Sequence, residues 1–345
     1  MLVNDHPFIS VIMPVYNCEH YVQEAVESIL NQSYSNFELL IIDDASNDAT
    51  VSIIKSFTDT RINLIEKPKN TGYTNSLNYC CTIAKGKYIA RMDGDDISLP
   101  KRFEKQITYL ESHPEVVVCG TTYQIIGNPK QITLPLTNDE IKIRLLWGNC
   151  IAHPSVMIRK EVLDHFIQPY DTLKEPAEDY DLWVRLLAFG KLSNLPEVLL
   201  MYRTYSNQVS KKREEEQKKS ALETRFKLLD YLTIEWTPIE IDFLVRHFKK
   251  TEVIQFDDIP VFKKIQEKLA CANNTEFFES NLFKQYLVDF EIDILRKCFL
   301  KKTRYSPSMY LKYLKAKWSF GAKLPFVREL KLGLKSIIFW KTLRT

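Results

Sequence analysis

The sequence has few of the features that mark fibrous, secreted or membrane-spanning chains. Its 345 residues include only 9 glycines and 15 prolines, too few for a collagenous or low-complexity protein. No run reaches the ~18 apolar residues of a membrane helix, and no basic segment followed by an apolar one opens the chain. The 7 cysteines form no CxxC pair, which argues against a disulfide framework or a zinc site. We therefore expect a folded protein of a reducing, cytoplasmic compartment.

The composition is that of a globular protein, but the charge is unevenly distributed. Hydrophobic residues make up 45% and charged residues 26% of the chain, and the length suits two or three domains. Residues 301–345 hold twelve Lys or Arg and one acid, Glu329, so this basic tail carries +11 and leaves −8 on the rest of a chain whose net charge is +3. Nucleic acid, an anionic membrane and an acidic acceptor would all attract such a tail.

Short apolar runs alternate with helical patterns over the first 130 residues. Each run predicts a buried strand, and the runs are residues 8–13, 37–42, 62–65 and 87–92. Strands joined by helices form a parallel sheet that is covered on both faces. Open sheets of this type bind ligands beyond the carboxyl ends of their strands. We therefore expect the functional residues in the loops that follow the four runs.

The pattern becomes helical almost throughout after residue 210. A charge run over residues 211–219 marks a hinge or a solvated helix at this point. We therefore predict an α/β domain over residues 1–210 and a mainly α-helical C-terminal region over residues 211–345, which ends in the basic tail.

Two carboxylates flank a glycine in the loop after the fourth predicted strand. Side chains two apart in an extended segment point the same way, so Asp93 and Asp95 can converge, and Gly94 leaves room for a ligand at the backbone. Clustered carboxylates repel one another unless a cation lies among them, and hard oxygen ligands suit Mg²⁺ or Mn²⁺. A solvated acidic turn that caps the next helix is the alternative. The position at the carboxyl end of a strand favours the metal site.

Two further loops carry groups that suit a nucleotide. Asp43 and Asp44 end the second predicted strand, where a carboxylate can accept a hydrogen bond from a ribose hydroxyl or from N3–H of uracil. Capping of the next helix by Ser46 or Asn47 is compatible with that role. Asn70 belongs to an Asn-Thr-Gly turn that lies where a nucleotide would pass.

Five motifs, in this order, resemble those of the family 2 glycosyltransferases of the GT-A fold. They lie within about residues 7–210 and comprise residues 11–17 (VIMPVYN), 42–48 (IDDASND), 70–72 (NTG), 86–96 (GKYIARMDGDD) and 177–183 (AEDYDLW). The resemblance implies a Rossmann-like domain with a mostly parallel central sheet. It also implies an inverting reaction with a nucleotide-sugar donor, for which a UDP-sugar is the first candidate.

The resemblance also implies roles for individual residues. The donor would be bound by Pro14, Tyr16, Asn17, Asp43, Asp44, Asn70, Asp93 and Arg203. Asp95, with Asp93, would hold the divalent cation, Mn²⁺ or Mg²⁺, that stabilises the leaving diphosphate. The Arg203 guanidinium would neutralise that diphosphate, although a surface salt bridge explains this residue nearly as well.

The other half of the reaction requires a general base, and the resemblance assigns it to Asp179, with Glu178 beside it. The base would take the proton of the acceptor hydroxyl while the sugar is displaced with inversion. An acid-rich helix start is the alternative reading of the same residues. His153 corresponds to the acceptor side of the site in the family, but a lone histidine is more often a structural hydrogen-bonding group.

In the basic tail, aromatic and aliphatic side chains at helical spacing alternate with lysine and arginine. An interfacial amphipathic helix has this pattern, and so has a basic helical bundle that packs on its own core. Nucleic acid ranks below both, because no nucleic-acid-binding signature is present and residues 1–300 are acidic.

We therefore predict an inverting, metal-dependent glycosyltransferase. It would move a sugar from a nucleotide sugar to a hydroxyl of a glycan or lipid-linked acceptor in cell-surface polysaccharide synthesis. A catalytically silent sugar-nucleotide-binding module recruited to membranes is the alternative. The expected location is the cytoplasm, with attachment of the tail to the anionic inner face of the cell membrane as a further hypothesis, and no nucleic-acid partner is expected.

Overall fold

The computed structural model describes residues 8–205, 213–249 and 254–341. The chain forms two compact units, Met1–Thr224 and Arg225–Thr345, and the division falls within the helix Glu214–Asp230. The predicted boundary near residue 210 lies outside the described residues and stays a prediction.

In the described part of the first unit, nine strands form one sheet. They are β1 (Ile9–Val15), β2 (Phe37–Asp43), β3 (Ile62–Glu66), β4 (Tyr88–Arg91), β5 (Ile97–Ser98), β6 (Val116–Ile125), β7 (Gln131–Ile132), β8 (Met157–Arg159) and β9 (Lys191–Tyr202). The order is β3-β2-β1-β4-β8-β6-β9-β5, with β7 paired to β6. Strands β3, β2, β1 and β4 run parallel, as the sequence predicts, and β8 is antiparallel to both neighbours.

Helices cover the sheet and explain why its strands are continuous apolar runs. The helices of this unit are α1 (Val22–Leu30), α2 (Thr50–Lys55), α3 (Tyr73–Ile83), α4 (Arg102–Ser112), α5 (Asn138–Leu145), α6 (Lys160–Leu163) and α7 (Glu178–Leu186). All seven residues of β1 are buried. Ile9, Val11 and Met13 share a core with the apolar faces of α1 and α4, while α3 also contacts β1. Both faces of the strand are therefore apolar.

The remaining helices build the C-terminal region. They are α8 (Glu214–Asp230), α9 (Pro238–Lys249), α10 (Ile259–Ala272), α11 (Ser280–Leu295), α12 (Pro307–Phe320) and α13 (Phe326–Ile337). Aromatic side chains form much of the core of the second unit: the ring of Phe262 lies edge to face with Phe290 at 5.0 Å and tilted against Phe243 at 6.1 Å. The predicted helical C-terminal region is confirmed. None of the described helices combines the length and the apolar character needed to cross a membrane.

Candidate functional site

Three carboxylates meet in the loop after β4. Asp93, Asp95 and Asp96 each offer an oxygen, and these oxygens lie within 4.8 Å of one another. The loop is a turn and not the extended segment assumed from the sequence, so Asp96 joins the predicted pair. Three hard oxygen donors suit Mg²⁺ or Mn²⁺. The cluster therefore fits a divalent cation.

Gly94 has a different role from the predicted one. A β-carbon at this position would lie 2.8 Å from Cγ1 of Val15 and 3.2 Å from Sγ of Cys18. The missing side chain therefore lets the acidic loop pack against the end of β1. The space that the sequence analysis reserved for a ligand is filled by these two side chains.

Burial and mutual repulsion raise the pKa of two carboxyl groups in this cluster. Burial and the charge of Asp93 together raise the pKa of Asp95 to about 6. The same causes, with the charge of Asp95, raise the pKa of Asp96 well above its usual range. Oδ2 of Asp96 also meets no hydrogen-bond donor among the described residues. A divalent cation would reduce the repulsion between the carboxylates, and it would give Oδ2 of Asp96 a positively charged partner.

Arg203 supports the acidic loop. Its backbone N–H donates to Oδ1 of Asp96, and its Nε donates to the carbonyl of Asp95, both at 2.8 Å. Nη2 donates to Oε2 of Glu24 at 2.6 Å, and the guanidinium lies 4.6 Å from the ring centroid of Tyr21. The salt bridge that the sequence left open is thus present. A contact between Arg203 and a diphosphate stays a prediction.

Arg91 is a buried cation that the sequence analysis did not single out. It ends β4 and forms an ion pair with Asp93. Its charge also opposes the rise in the pKa of Asp95, Glu178 and Asp179. One guanidinium therefore lies within electrostatic range of both the acidic loop and the start of α7.

The loops after β1 and β2 bind each other. The backbone N–H of Asn17 donates to Oγ of Ser46, and Oδ1 of Asn17 accepts from the backbone N–H of Asn47, both at 2.9 Å. Asn17 has a φ of 48°, a left-handed conformation that asparagine tolerates better than most residues. The predicted capping of the next helix by Ser46 or Asn47 is wrong, because α2 begins later and both residues contact Asn17 instead.

Asp44 organises the loop after β3. Oδ1 accepts from Nζ of Lys67 at 2.7 Å and from the backbone N–H of Thr71 at 3.0 Å, and Oδ2 accepts from the backbone N–H of Gly72 at 2.8 Å. Both oxygens of this buried carboxylate are therefore engaged within the protein. Oδ1 of the neighbouring Asp43, in contrast, meets no donor among the described residues.

The other predicted donor-binding residues differ in exposure. Pro14 is buried within β1, whereas Tyr16, directly after the strand, is 47% exposed. Asn70 is exposed, and its Oδ1 accepts from the backbone N–H of Gly72 at 3.1 Å. The side chains of Tyr16 and Asn70 are thus accessible to a donor. The buried Pro14 side chain is not, so Pro14 can affect binding only through the conformation of the backbone.

Asp179 lies in the first turn of α7 with both oxygens held. Oδ2 accepts from Nδ2 of Asn149 at 2.6 Å, and Oδ1 accepts from the backbone N–H of Tyr180 at 2.7 Å. Burial raises the pKa of Asp179 to about 6, although both hydrogen bonds favour the carboxylate form. A carboxylate that is ionised at neutral pH and more basic than usual suits a general base.

Glu178, the residue before Asp179, is buried and contacts two other side chains. Oε2 accepts from the hydroxyl of Tyr73 at 2.8 Å, and Nδ1 of His153 lies 3.8 Å from Oε1. Burial and the charge of Asp179 raise the pKa of Glu178 to about 8. His153 is buried too, with Nε2 3.1 Å from the hydroxyl of Tyr170, and burial holds its pKa well below the usual range. The structure thus places His153 against Glu178, and an acceptor-side role for it stays a prediction.

Four residues of this region were not predicted from the sequence: Arg91, Asp96, Asn149 and Tyr73. Asp96 adjoins the predicted pair, and an arginine inside the apolar run of β4 is a usable signal. The other two offered none, because Asn149 and Tyr73 lie 30 and 105 positions from the carboxylates that they contact.

The chain is similar in sequence to known glycosyltransferases. The family description that matches residues 10–166 is "Glycosyl transferase family 2". The putative glycosyltransferase EpsE of Bacillus subtilis is 37% identical over 224 residues, which span 59% of this chain and 76% of EpsE. WfgD of Escherichia coli, a UDP-Glc:alpha-D-GlcNAc-diphosphoundecaprenol beta-1,3-glucosyltransferase, is 31% identical over 218 residues, which span 62% of this chain and 84% of WfgD.

Solved structures share the fold at low identity. S. aureus TarS 1-349 in complex with UDP-GlcNAc matches with a TM-score of 0.57 and 15% identity, over 92% of this chain and 93% of that one. The mannosyltransferase PcManGT from Pyrobaculum calidifontis, in complex with GDP-Man and Mn²⁺, matches with a TM-score of 0.53 and 14% identity, over 95% and 88%. The predicted fold class, an α/β GT-A domain followed by a helical C-terminal region, is confirmed.

Proposed function

Because the chain belongs to glycosyl transferase family 2, we propose that it transfers a sugar from a nucleotide sugar to a hydroxyl group, with inversion at the anomeric carbon. The observation that carries the proposal is a buried cation shared by two carboxylate groups: Arg91 forms an ion pair with Asp93 of the acidic loop, and its charge also opposes the rise in the pKa of Asp179 in α7. The first group fits a cation that assists departure of a diphosphate, and the second fits a base. Both groups assist a displacement at a sugar carbon.

A UDP-sugar is the first candidate donor. TarS 1-349 is a complex with UDP-GlcNAc, and WfgD is named for UDP-Glc, whereas PcManGT is a complex with GDP-Man. We assign the nucleoside to the loops after β1, β2 and β3. Tyr16, Asp43 and Asn70 offer open or unbonded groups there, and the contacts of Asn17 and Asp44 hold these loops in place.

The acidic loop would hold the cation and the diphosphate. Asp93, Asp95 and Asp96 supply carboxylate oxygens that suit Mn²⁺ or Mg²⁺, and PcManGT is a complex with Mn²⁺. A bound cation neutralises the negative charge that develops on a departing diphosphate. Arg203 keeps the loop in position through its contacts with the Asp95 carbonyl and the Asp96 carboxylate.

Asp179 would act as the general base. One of its oxygens takes the proton of the acceptor hydroxyl while the hydroxyl oxygen bonds to the anomeric carbon, and the bond from that carbon to the diphosphate breaks with its electron pair on the diphosphate. A single displacement inverts the configuration. Burial and the charge of Asp179 raise the pKa of the neighbouring Glu178. We assign the base to Asp179 because it is the less buried of the two carboxylate residues.

We propose a glycan or lipid-linked acceptor of cell-surface polysaccharide synthesis. WfgD is named for an acceptor linked to diphosphoundecaprenol. The basic tail would be attracted to an anionic membrane, where a lipid-linked acceptor lies. The corresponding location is the cytoplasm, with peripheral attachment at the inner face of the cell membrane.

Release of the nucleoside diphosphate tests the proposal against the second candidate, a silent sugar-nucleotide-binding module. Purified protein should release UDP from at least one UDP-sugar when Mn²⁺ or Mg²⁺ is present, and neither EDTA-treated protein nor Asp95→Ala should do so. A protein that binds a nucleotide sugar but releases no nucleotide with any divalent cation would support the silent module.

The configuration of the product tests the mechanism. Proton NMR of the first linkage formed should show the anomeric configuration opposite to that of the donor. A retained configuration would require a covalent intermediate on a protein nucleophile and would contradict the single displacement.

A further inference from the structure

Helix α13 exposes an apolar stripe. Its members are between 53 and 79% exposed and are Phe326, Val327, Leu330, Leu334 and Ile337. At about 100° per residue they fall within an arc of about 100° on one side of the helix. The stripe continues past the helix through the exposed residues Ile338, Phe339 and Trp340. Leu332 and Ser336, on the other side of α13, are buried.

Specific contacts hold this segment in place. Glu329 accepts hydrogen bonds from the hydroxyl of Tyr313 at 3.0 Å and from Nζ of Lys317 at 2.8 Å, which ties α13 to α12. The backbone N–H of Tyr305 donates to the carbonyl of Trp340 at 3.0 Å. The apolar side chains are therefore exposed on a folded helix whose other face is already packed.

Basic side chains border the stripe. Lys331, Lys335 and Arg328 occupy the next arc of about 100° around α13, and Arg328 and Lys331 are exposed. Within the described part of the chain, no carboxylate forms an ion pair with Arg328 or Lys331. The two lysines also line a groove of about 320 Å³ together with Val327, Leu330 and Leu334 of the stripe and with Ile338 and Trp340 beyond it.

We propose that this face of α13 is a membrane-binding surface for anionic phospholipid. The stripe enters the headgroup zone, and the adjoining lysines and arginine contact lipid phosphates. Charge complementarity selects this occupant, because residues 301–345 carry +11. A second copy of the chain would bring a tail of the same charge to the interface, which repulsion disfavours. The inference rests on the proposed peripheral location and adds the surface and the lipid class.

Vesicle co-sedimentation of the full chain tests the surface. Wild-type protein should pellet with phosphatidylcholine vesicles that contain one-third phosphatidylglycerol, and only weakly with phosphatidylcholine alone. The double variant Leu330→Ser/Leu334→Ser should bind at least ~10-fold more weakly, because two apolar side chains no longer leave water. Arg328→Gln/Lys331→Gln should lose about fivefold per residue and should depend less on salt.

Matched variants on other helices of the same unit control for the loss of apolarity and charge. Ile239→Ser/Ile241→Ser removes two exposed apolar side chains of α9, and Lys264→Gln/Lys284→Gln removes two exposed lysines of α10 and α11. Both controls should bind vesicles like the wild type. Thermal unfolding of each variant shows that it is folded, which the exposure of the substituted residues leads us to expect.

Two results would overturn the inference. One is equal binding of the wild type and Leu330→Ser/Leu334→Ser to the anionic vesicles, or no binding by either. The other is a wild-type dimer, seen by sedimentation equilibrium, that the serine variant dissociates while neither protein binds vesicles; this would assign the face to a second copy. Vesicle binding is measured without a nucleotide sugar, and UDP release by the same preparation reports separately on the transferase.

Discussion

The side-chain amide of Asn149 donates a hydrogen bond of 2.6 Å to Oδ2 of Asp179. The contact joins a loop residue to the first turn of α7. Because the amide N–H donates and the carboxylate accepts, this hydrogen bond favours the deprotonated form of Asp179. Burial acts in the opposite direction and raises the pKa of Asp179 to about 6. The balance gives a carboxylate that is ionised at neutral pH and is still a stronger base than an exposed aspartate.

Sugar transfer should lose rate below about pH 6, because the base must be ionised and the pKa of Asp179 is raised to about that value. Asn149→Ala removes a hydrogen bond that favours the ionised form, so the acidic limb of the kcat profile should move up by about one pH unit. Rates measured across the acidic range give the shift. Asn281→Ala, at an exposed position of α11, should leave the limb unchanged, and an unmoved limb in Asn149→Ala would contradict the assigned contact.

Asp179→Asn should reduce transfer by about 100-fold or more, since a positioned base contributes on that order. The donor should bind with nearly unchanged affinity, because the assigned donor contacts lie in the other loops. Calorimetric titration of the donor and single-turnover rates separate the two effects. Transfer near the wild-type rate would show that another group is the base.

The sequence could predict β1, β2 and β4 because they are buried and read as continuous apolar runs. Strand β3, expected to be buried as well, is instead only partly covered, with Asn63 and Glu66 exposed, because it lies at the edge of the sheet. Strands β5 and β7 left no such signal, because they have two residues each, too short for any periodicity. Their pairing depends on contacts with distant strands.

The candidate site was predictable where its chemistry lies within one motif and not where it depends on distant partners. The spacing of Asp93 and Asp95, and their position after a predicted strand, are visible in the sequence and predict the site. The burial of Asp96, in contrast, accompanies a hydrogen bond from Arg203, 107 positions away. The role of Gly94 was misread for the same reason, because the atoms beside it belong to β1 and the loop that follows.

Gly94→Ala should weaken binding of the metal and the nucleotide together. The new β-carbon would meet Cγ1 of Val15 at 2.8 Å, so the acidic loop must move, at a cost of about 1–3 kcal/mol in the free energy of unfolding. Urea denaturation and UDP titration with Mn²⁺ measure the two effects. Gly333→Ala is the control: its nearest neighbour would be Tyr310 at an ordinary 3.6 Å, and alanine within helix α13 should stabilise by about 0.5–1 kcal/mol. Wild-type UDP affinity in Gly94→Ala would contradict the packing role.

Asp44→Asn should destabilise the first unit. The substitution removes the negative partner of a largely buried ion pair with Lys67. It also places an NH₂ group, which cannot accept a hydrogen bond, beside the backbone N–H donors of Thr71 and Gly72. Breaking such an ion pair costs about 3–5 kcal/mol. Asp164→Asn removes an exposed pair with Lys160 and should cost ~0.5 kcal/mol or less. Urea denaturation compares the two variants. Equal losses would show that Asp44 does not organise the loop after β3.

Calorimetric titration of UDP into the full chain, with Mn²⁺ or with EDTA, tests the acidic loop as the cation and diphosphate site most directly. Wild-type protein should bind UDP far more tightly with Mn²⁺, and Asp95→Asn should lose most of that gain while it keeps the wild-type unfolding transition. UDP that binds equally well in EDTA, or an unchanged Mn²⁺ effect in folded Asp95→Asn, would contradict the assignment of the Asp93, Asp95 and Asp96 cluster.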